Sequence, residues 1–183
     1  MKKILLLSLM AAALAIQPAG AGETKVTDKM VRQAVQGWCD GLLKISRTAM
    51  KGGDAKAVAS EVIDSAYDYD DGEVLFKPTL TFGDQTFRLT KEGALAYFVG
   101  DNPKYPNDSG FALKNWTKTR FTVAGIITEG DIGIYMGNVT FTDKKGKSVT
   151  VDKLFVFRFD SNGKPKIIVH KSALPFDPAA AKS

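Results

Sequence analysis

One histidine serves the whole 183-residue chain, and a serine follows two positions later in the run Pro165-Lys166-Ile167-Ile168-Val169-His170-Lys171-Ser172-Ala173-Leu174-Pro175-Phe176. The pattern predicts a β-strand. Strand side chains alternate between faces, so His170 and Ser172 share one face with Ile168 and Leu174, and Val169, Lys171 and Ala173 take the other. An imidazole, with an ordinary pKa of about 6.5, moves protons near neutral pH. A neighbouring hydroxyl donates to an oxygen on which negative charge develops. Period-two pairs arise by chance in any strand, so the surrounding elements must decide what this one does.

Other reactive groups are sparse. Cys39 is the single cysteine, so no internal disulfide forms, and its place beside Trp38 in a helical pattern reads as a small buried residue. One cysteine and one histidine fall short of the usual zinc ligand sets. The cluster Asp68, Asp70, Asp71 and Gly72 misses the calcium-loop spacing and reads as a solvated turn. The lysines are scattered, which leaves no footprint for nucleic acid. Asn107, Asn115 and Asn138 open Asn-X-Ser/Thr triplets, which matter only in a eukaryotic secretory pathway.

The chain starts with Met1-Lys2-Lys3, an apolar run from Ile4 to Ile16, and Ala19-Gly20-Ala21. This is the tripartite pattern of a secretory signal peptide over residues 1–21, with cleavage after Ala21. The apolar run is too short for a permanent anchor and no later run is longer, so a periplasmic or secreted protein with no membrane partner is expected. About 160 residues remain, enough for one domain over 22–176. A Pro/Ala/Lys tail over 177–183 is expected to fray. Losing Lys2 and Lys3 lowers the formal charge from +5 to +3, which is ordinary.

Helical spacing of Met30, Val31, Ala34, Val35, Trp38, Leu42, Ile45 and Met50 predicts a long first helix capped by Thr27 or Asp28 and ended by Gly52-Gly53. Asp54 opens a second helix. Short strands are predicted at Glu73 to Thr79 and Gln85 to Leu89, then a helix from Thr90 to about Gly100 and a loop from Asp101 to Gly110. Four strands follow, Trp116 to Ile127, Asp131 to Thr142, Ser148 to Phe159 and Lys164 to Leu174, joined by Gly-containing hairpin signals. The sum is an α+β domain with helices packed on one face of a curved, mainly antiparallel sheet.

That order of elements resembles the cone-shaped fold of nuclear transport factor 2, in which the sheet wraps round the long first helix and leaves a pocket at one end. The fold hosts enzymes, binding modules and oligomerisation domains, so residues must settle function. Here Lys77-Pro78-Thr79, Ala96-Tyr97-Phe98, Met136-Gly137-Asn138-Val139, Val151-Asp152-Lys153 and His170-Lys171-Ser172-Ala173-Leu174-Pro175 together resemble the iota class of carbonic anhydrases, relatives of the calcium/calmodulin-dependent kinase association domain. The resemblance spans nearly the whole mature chain. The family's C-terminal motif is usually His-His-Ser-Ser followed by a proline. His170 and Ser172 match its first His and first Ser, while Lys171 and Ala173 replace the second of each, on the opposite face.

The resemblance implies a lyase that interconverts carbon dioxide and bicarbonate. It assigns catalytic roles to Thr79, Tyr97, His170 and Ser172, and substrate binding to Thr79, Tyr97 and Ser172. Asn138 and Asp152 are candidate supporting groups. A small apolar wall beside a few hydroxyl donors suits both a linear apolar gas and a planar anion. The family includes metal-free and manganese-dependent members; no cofactor is expected here, with manganese or zinc left open. A homodimer is expected, formed by the sheet face that the helices leave uncovered. The bland readings make Thr79 a strand end, Tyr97 a core aromatic, and Asn138 and Asp152 ladder-edge polar groups, with Arg158 pairing Asp152. A small-ligand-binding module or an oligomerisation module of the same fold is the alternative to an enzyme.

Overall fold

The computed structural model describes residues 25–179. The signal-peptide reading of residues 1–21 and the end of the tail, residues 180–183, lie outside the described residues.

Helix α1 (Asp28–Met50) starts on Thr27, whose hydroxyl accepts from the Met30 amide at 3.3 Å. Val31, Val35, Trp38, Leu42 and Ile45 recur at three- and four-residue spacing and form one buried stripe. The helix ends where Gly52 takes φ +71°, a conformation that favours glycine. Asp54 caps α2 (Ala55–Ala66) by accepting from the Ala57 amide at 2.9 Å. Thr90 caps α3 (Lys91–Val99) through the Gly93 amide at 3.2 Å.

The sheet has five strands: β1 (Leu75–Lys77), β2 (Trp116–Glu129), β3 (Ile132–Asp143), β4 (Ser148–Phe159) and β5 (Pro165–Ala173). Their spatial order is β1-β5-β4-β3-β2. Strands β2 to β5 form an antiparallel meander, and β1 lies parallel on the free edge of β5. Tyr135, Val139 and Phe141 of β3 and Val151, Phe155, Phe157 and Phe159 of β4 point inward and bury with the stripe of α1. The α+β, mainly antiparallel architecture is as the sequence predicts.

Three local expectations fail. Residues from Gln85 to Leu89 form no strand: a 3-10 turn (Gly83–Gln85) is followed by a single ladder-like bond from the Arg88 amide to the Phe76 carbonyl at 2.8 Å. The cause is Arg88, which turns inward to hold Asp108 through two bonds of 3.0 and 2.9 Å and lies over the Tyr105 ring, pinning the long loop before β2. In β5, Val156 pairs with Val169 but Phe157 pairs with Ile167, so Ile168 is an extra, bulged residue. The alternation resets there, and Ile167 rather than Ile168 joins His170 on the buried face. Arg158 pairs with Asp68 at 2.8 Å and not with Asp152.

The Arg88–Asp108 pair is buried at both ends. Replacing Asp108 with Ala strands a guanidinium in the interior, which costs about 3–5 kcal/mol. We expect an earlier urea midpoint at an unchanged slope.

Candidate active site

Pairing of β1 with β5 sets Phe76 opposite His170 and Lys77 opposite Lys171. The chain after β1 therefore carries Thr79 to the inner side of Ser172, and their hydroxyl oxygens lie 2.6 Å apart. Both residues are buried. Lys77 donates from Nζ to the Ser172 carbonyl at 3.2 Å, fixing the end of β5. From α3 the Tyr97 hydroxyl reaches the Thr79 hydroxyl and the backbone of Thr79 and Leu80, yet closes no hydrogen bond to them or to any other protein group. Its ring is held by stacking on Phe111, 5.5 Å between centroids, and edge-on against Phe76 at 5.8 Å. Burial pushes the phenol pKa up, so it remains a donor. Three hydroxyls from three separate elements thus converge, one of them without a partner.

His170 stands behind this cluster. It is 1% exposed. Its ring lies between Phe76, stacked at 4.5 Å, and Phe155 at 4.4 Å. Nδ1 lies 2.8 Å from the Tyr67 hydroxyl, which accepts from Trp38 Nε1 at 2.9 Å. Nε2 lies 2.8 Å from Nζ of Lys153. Burial, and then the neighbouring Lys153, hold the imidazole well below its ordinary pKa, so it stays neutral at physiological pH. Burial likewise brings Lys153 down to about 7.

A cavity of about 320 Å³ opens beside Thr79, walled by Leu80, Phe111, Trp116, Val151 and Leu174, with Lys114 and Lys147 at its rim. Of the four candidate residues Thr79 alone lines it; Tyr97, His170 and Ser172 do not. A larger groove of about 620 Å³ lies between α1, α2 and the start of β5, on the far side of Trp38, and none of the three converging hydroxyls lines it. The smaller cavity is the one that touches the polar cluster. Among the described residues, no group of three or more His, Cys, Asp or Glu side chains is placed to hold a metal ion.

The sequence model for metal-independent carbonic anhydrases matches residues 29–174. A curated metal-independent carbonic anhydrase from Nostoc sp. (strain PCC 7120) is 48% identical over 154 residues, 83% of this chain and 75% of that protein. The chain belongs to the metal-independent carbonic anhydrase family. Among solved structures, the bicarbonate complex of an iota-carbonic anhydrase from a cyanobacterium superposes with a TM-score of 0.82 at 48% identity, covering 84% of this chain and 94% of that one. A nuclear transport factor 2-like superfamily protein from Salmonella enterica serovar Typhimurium, 10% identical, aligns with a TM-score of 0.50 over 85% of this chain and 95% of its own, and shares the fold alone.

Within this carbonic anhydrase, the Thr79 and Ser172 hydroxyls meet, Tyr97 packs beside them without a hydrogen bond, and His170 lies two residues before Ser172 in β5. Asn138 and Asp152 do not reach them: they pair with each other at 2.7 Å on the outward face of the sheet. That face follows from parity, since both alternate with the inward residues Val139 and Val151. Lys171 is exposed and outward, so its substitution leaves the cluster intact. Tyr67, Trp38 and Lys153 are the residues that motif reasoning missed. The signal for Lys153 was available: it occupies an inward position between Val151 and Phe155.

Because Lys153 is buried with a folded pKa of about 7, against about 10.5 in an unfolded chain, the unfolded state binds more protons between these values. Stability therefore rises with pH across that interval. The Cys39 thiol, pushed up by burial to about 11, offsets this rise once unfolded thiols ionise, above about pH 8.5, and the slope flattens there. Thermal unfolding should show a gain on the order of 1–2 kcal/mol from pH 7 to 8.5. Lys153→Met should abolish that gain. Below about pH 6.5 stability should fall further, as His170 protonates in the unfolded chain.

Proposed function

We propose that this protein interconverts carbon dioxide and bicarbonate at the Thr79–Tyr97–Ser172 cluster without a metal. The observation that carries this reading is the convergence of three buried hydroxyls, with that of Tyr97 unpartnered, in a chain 48% identical to a bicarbonate-bound carbonic anhydrase. The apolar wall of Phe111, Trp116 and Val151 suits carbon dioxide, which carries no net charge and accepts only weak hydrogen bonds. The hydroxyls donate to the oxygens on which charge builds as water adds to carbon. Since Thr79 and Ser172 share one short bond, one proton of the pair lies between them, and the other is free to point at the bicarbonate oxygen. His170 works through the position of β5 rather than by touching substrate.

We also propose export to a periplasm or the outside, on the pattern of residues 1–21, and a homodimer through the outward sheet face, where Met136 is exposed beside half-buried Leu154 and Val156. An exported protein beginning at Gly22, and a sedimentation mass of two chains, are the expected results; an uncleaved N-terminus would contradict export, and a monomer would contradict the dimer.

Stopped-flow hydration of carbon dioxide, read with a pH indicator before and after exhaustive chelation, tests the enzyme reading. Activity should survive chelation. Ser172→Ala and Tyr97→Phe should each lower kcat by about 10²-fold, as loss of one oxyanion donor does elsewhere. Wild-type protein indistinguishable from buffer would overturn the proposal, and activity lost to chelator would overturn its metal-free part.

A further inference from the structure

The cavity beside Thr79 is rimmed by two turns. One is the 3-10 turn Phe111–Leu113, which leads into Lys114. Trp116 holds it by donating from Nε1 to the Phe111 carbonyl at 2.7 Å. The other is the hairpin between β3 and β4, which carries Lys147. The two turns are tied together, since the Lys144 amide donates to the Asn115 carbonyl at 3.0 Å. Asn115 takes φ +57°, a left-handed conformation that asparagine adopts more readily than most residues. The chain therefore bends directly after Lys114, and Lys114 and Lys147 stand on one rim.

Three charged side chains line the cavity: Lys114, Lys147 and Asp143. Both lysines are exposed, and neither is in an ion pair among the described residues. Asp143 serves its own hairpin instead. Its Oδ1 accepts from the Lys145 and Lys147 amides at 2.8 and 3.0 Å. Two ammonium groups against one carboxylate leave the mouth positive. Inward of it the walls are Leu80, Phe111, Trp116 and Val151, and the polar group reached is the neutral Thr79 hydroxyl. Apolar walls of low dielectric focus a field along a cleft and raise the local concentration of an oppositely charged ligand.

The two carbon species that would pass this mouth differ in charge: carbon dioxide is neutral and bicarbonate is an anion. We propose that Lys114 and Lys147 draw bicarbonate to the cavity and hold it at the mouth, while carbon dioxide passes them unaided. This rests on the carbon dioxide reading above and adds to it the residues that recognise the charged species. The lysines favour both the bound anion and the negative charge that develops in the transition state. Their loss therefore lowers kcat/KM in both directions by one common factor, as the fixed overall equilibrium requires.

The test is the Kd for bicarbonate, followed by ¹³C line broadening at about 0.1 M salt, where exposed charges act over about 10 Å. Lys114→Gln/Lys147→Gln should raise it about threefold to tenfold. Lys144→Gln/Lys145→Gln removes the same charge from the same hairpin at positions that do not line the cavity, and should leave the Kd within about twofold of wild type. A further measurement needs no substitution. Between about 10 mM and about 100 mM salt the Debye length shortens from about 30 to about 10 Å, so the wild-type Kd should rise about twofold to fivefold, and that of the Lys114/Lys147 variant should rise less. An unchanged Kd in the Lys114/Lys147 variant, or an equal loss in the Lys144/Lys145 variant, would overturn the proposal and leave the enzyme reading in place. A wild-type Kd indifferent to salt would do the same. A wild type that neither hydrates carbon dioxide nor binds bicarbonate would overturn both.

Discussion

The burial of one imidazole constrains most of this molecule. His170 is clamped between Phe76 of β1 and Phe155 of β4, and its two nitrogens are tied to Tyr67 beyond α2 and to Lys153 of β4. A neutral ring in that position needs both nitrogens satisfied, because an unpaired buried polar atom costs about 1–3 kcal/mol. Meeting that demand fixes the height of β5 against its neighbours. With β5 fixed, Ser172 can face only Thr79, and the short β1 strand has a reason to add in parallel to an otherwise antiparallel meander. Trp38 extends the same network into α1 through Tyr67. The histidine is thus more a keystone than a surface base.

What the hydroxyl cluster offers to carbon dioxide follows from its setting. In the proposed site the three hydroxyls are neutral, so they present no charge to a gas molecule. They are also buried, so donation to a developing anion acts in a medium of low dielectric, where it is stronger than in water. Phe111 supports this arrangement twice, as a wall of the cavity and as the stacking partner that orients Tyr97. The three hydroxyls of the proposed site come from different elements that the core packs together.

The helices, their caps and the meander were legible in the sequence because local signals and tertiary demand agree at Thr27, Asp54 and Thr90. Parity alone placed His170 with Ser172. It misplaced Ile168, because a bulge adds one residue that no turn signal announces. Gln85 to Leu89 looked like a strand, but the charge of Arg88 called for Asp108, a partner twenty residues away that pattern reading does not see. Thr79 and Tyr97 became candidates only through family resemblance, since nothing in their spacing links them to Ser172. Asn138 and Asp152 were drawn in by the same resemblance, although their parity already pointed outward. Lys153 carries no motif signal of its own, and its burial follows from parity with Val151, Phe155 and Phe157 on the same face.

The most direct test of the central claim is where bicarbonate binds in this chain. Crystals equilibrated with bicarbonate should show the anion in the cavity beside Thr79, with its oxygens within hydrogen-bond distance of the Thr79, Tyr97 and Ser172 hydroxyls. Bicarbonate bound instead in the groove beyond Trp38, with the three hydroxyls untouched, would contradict the account.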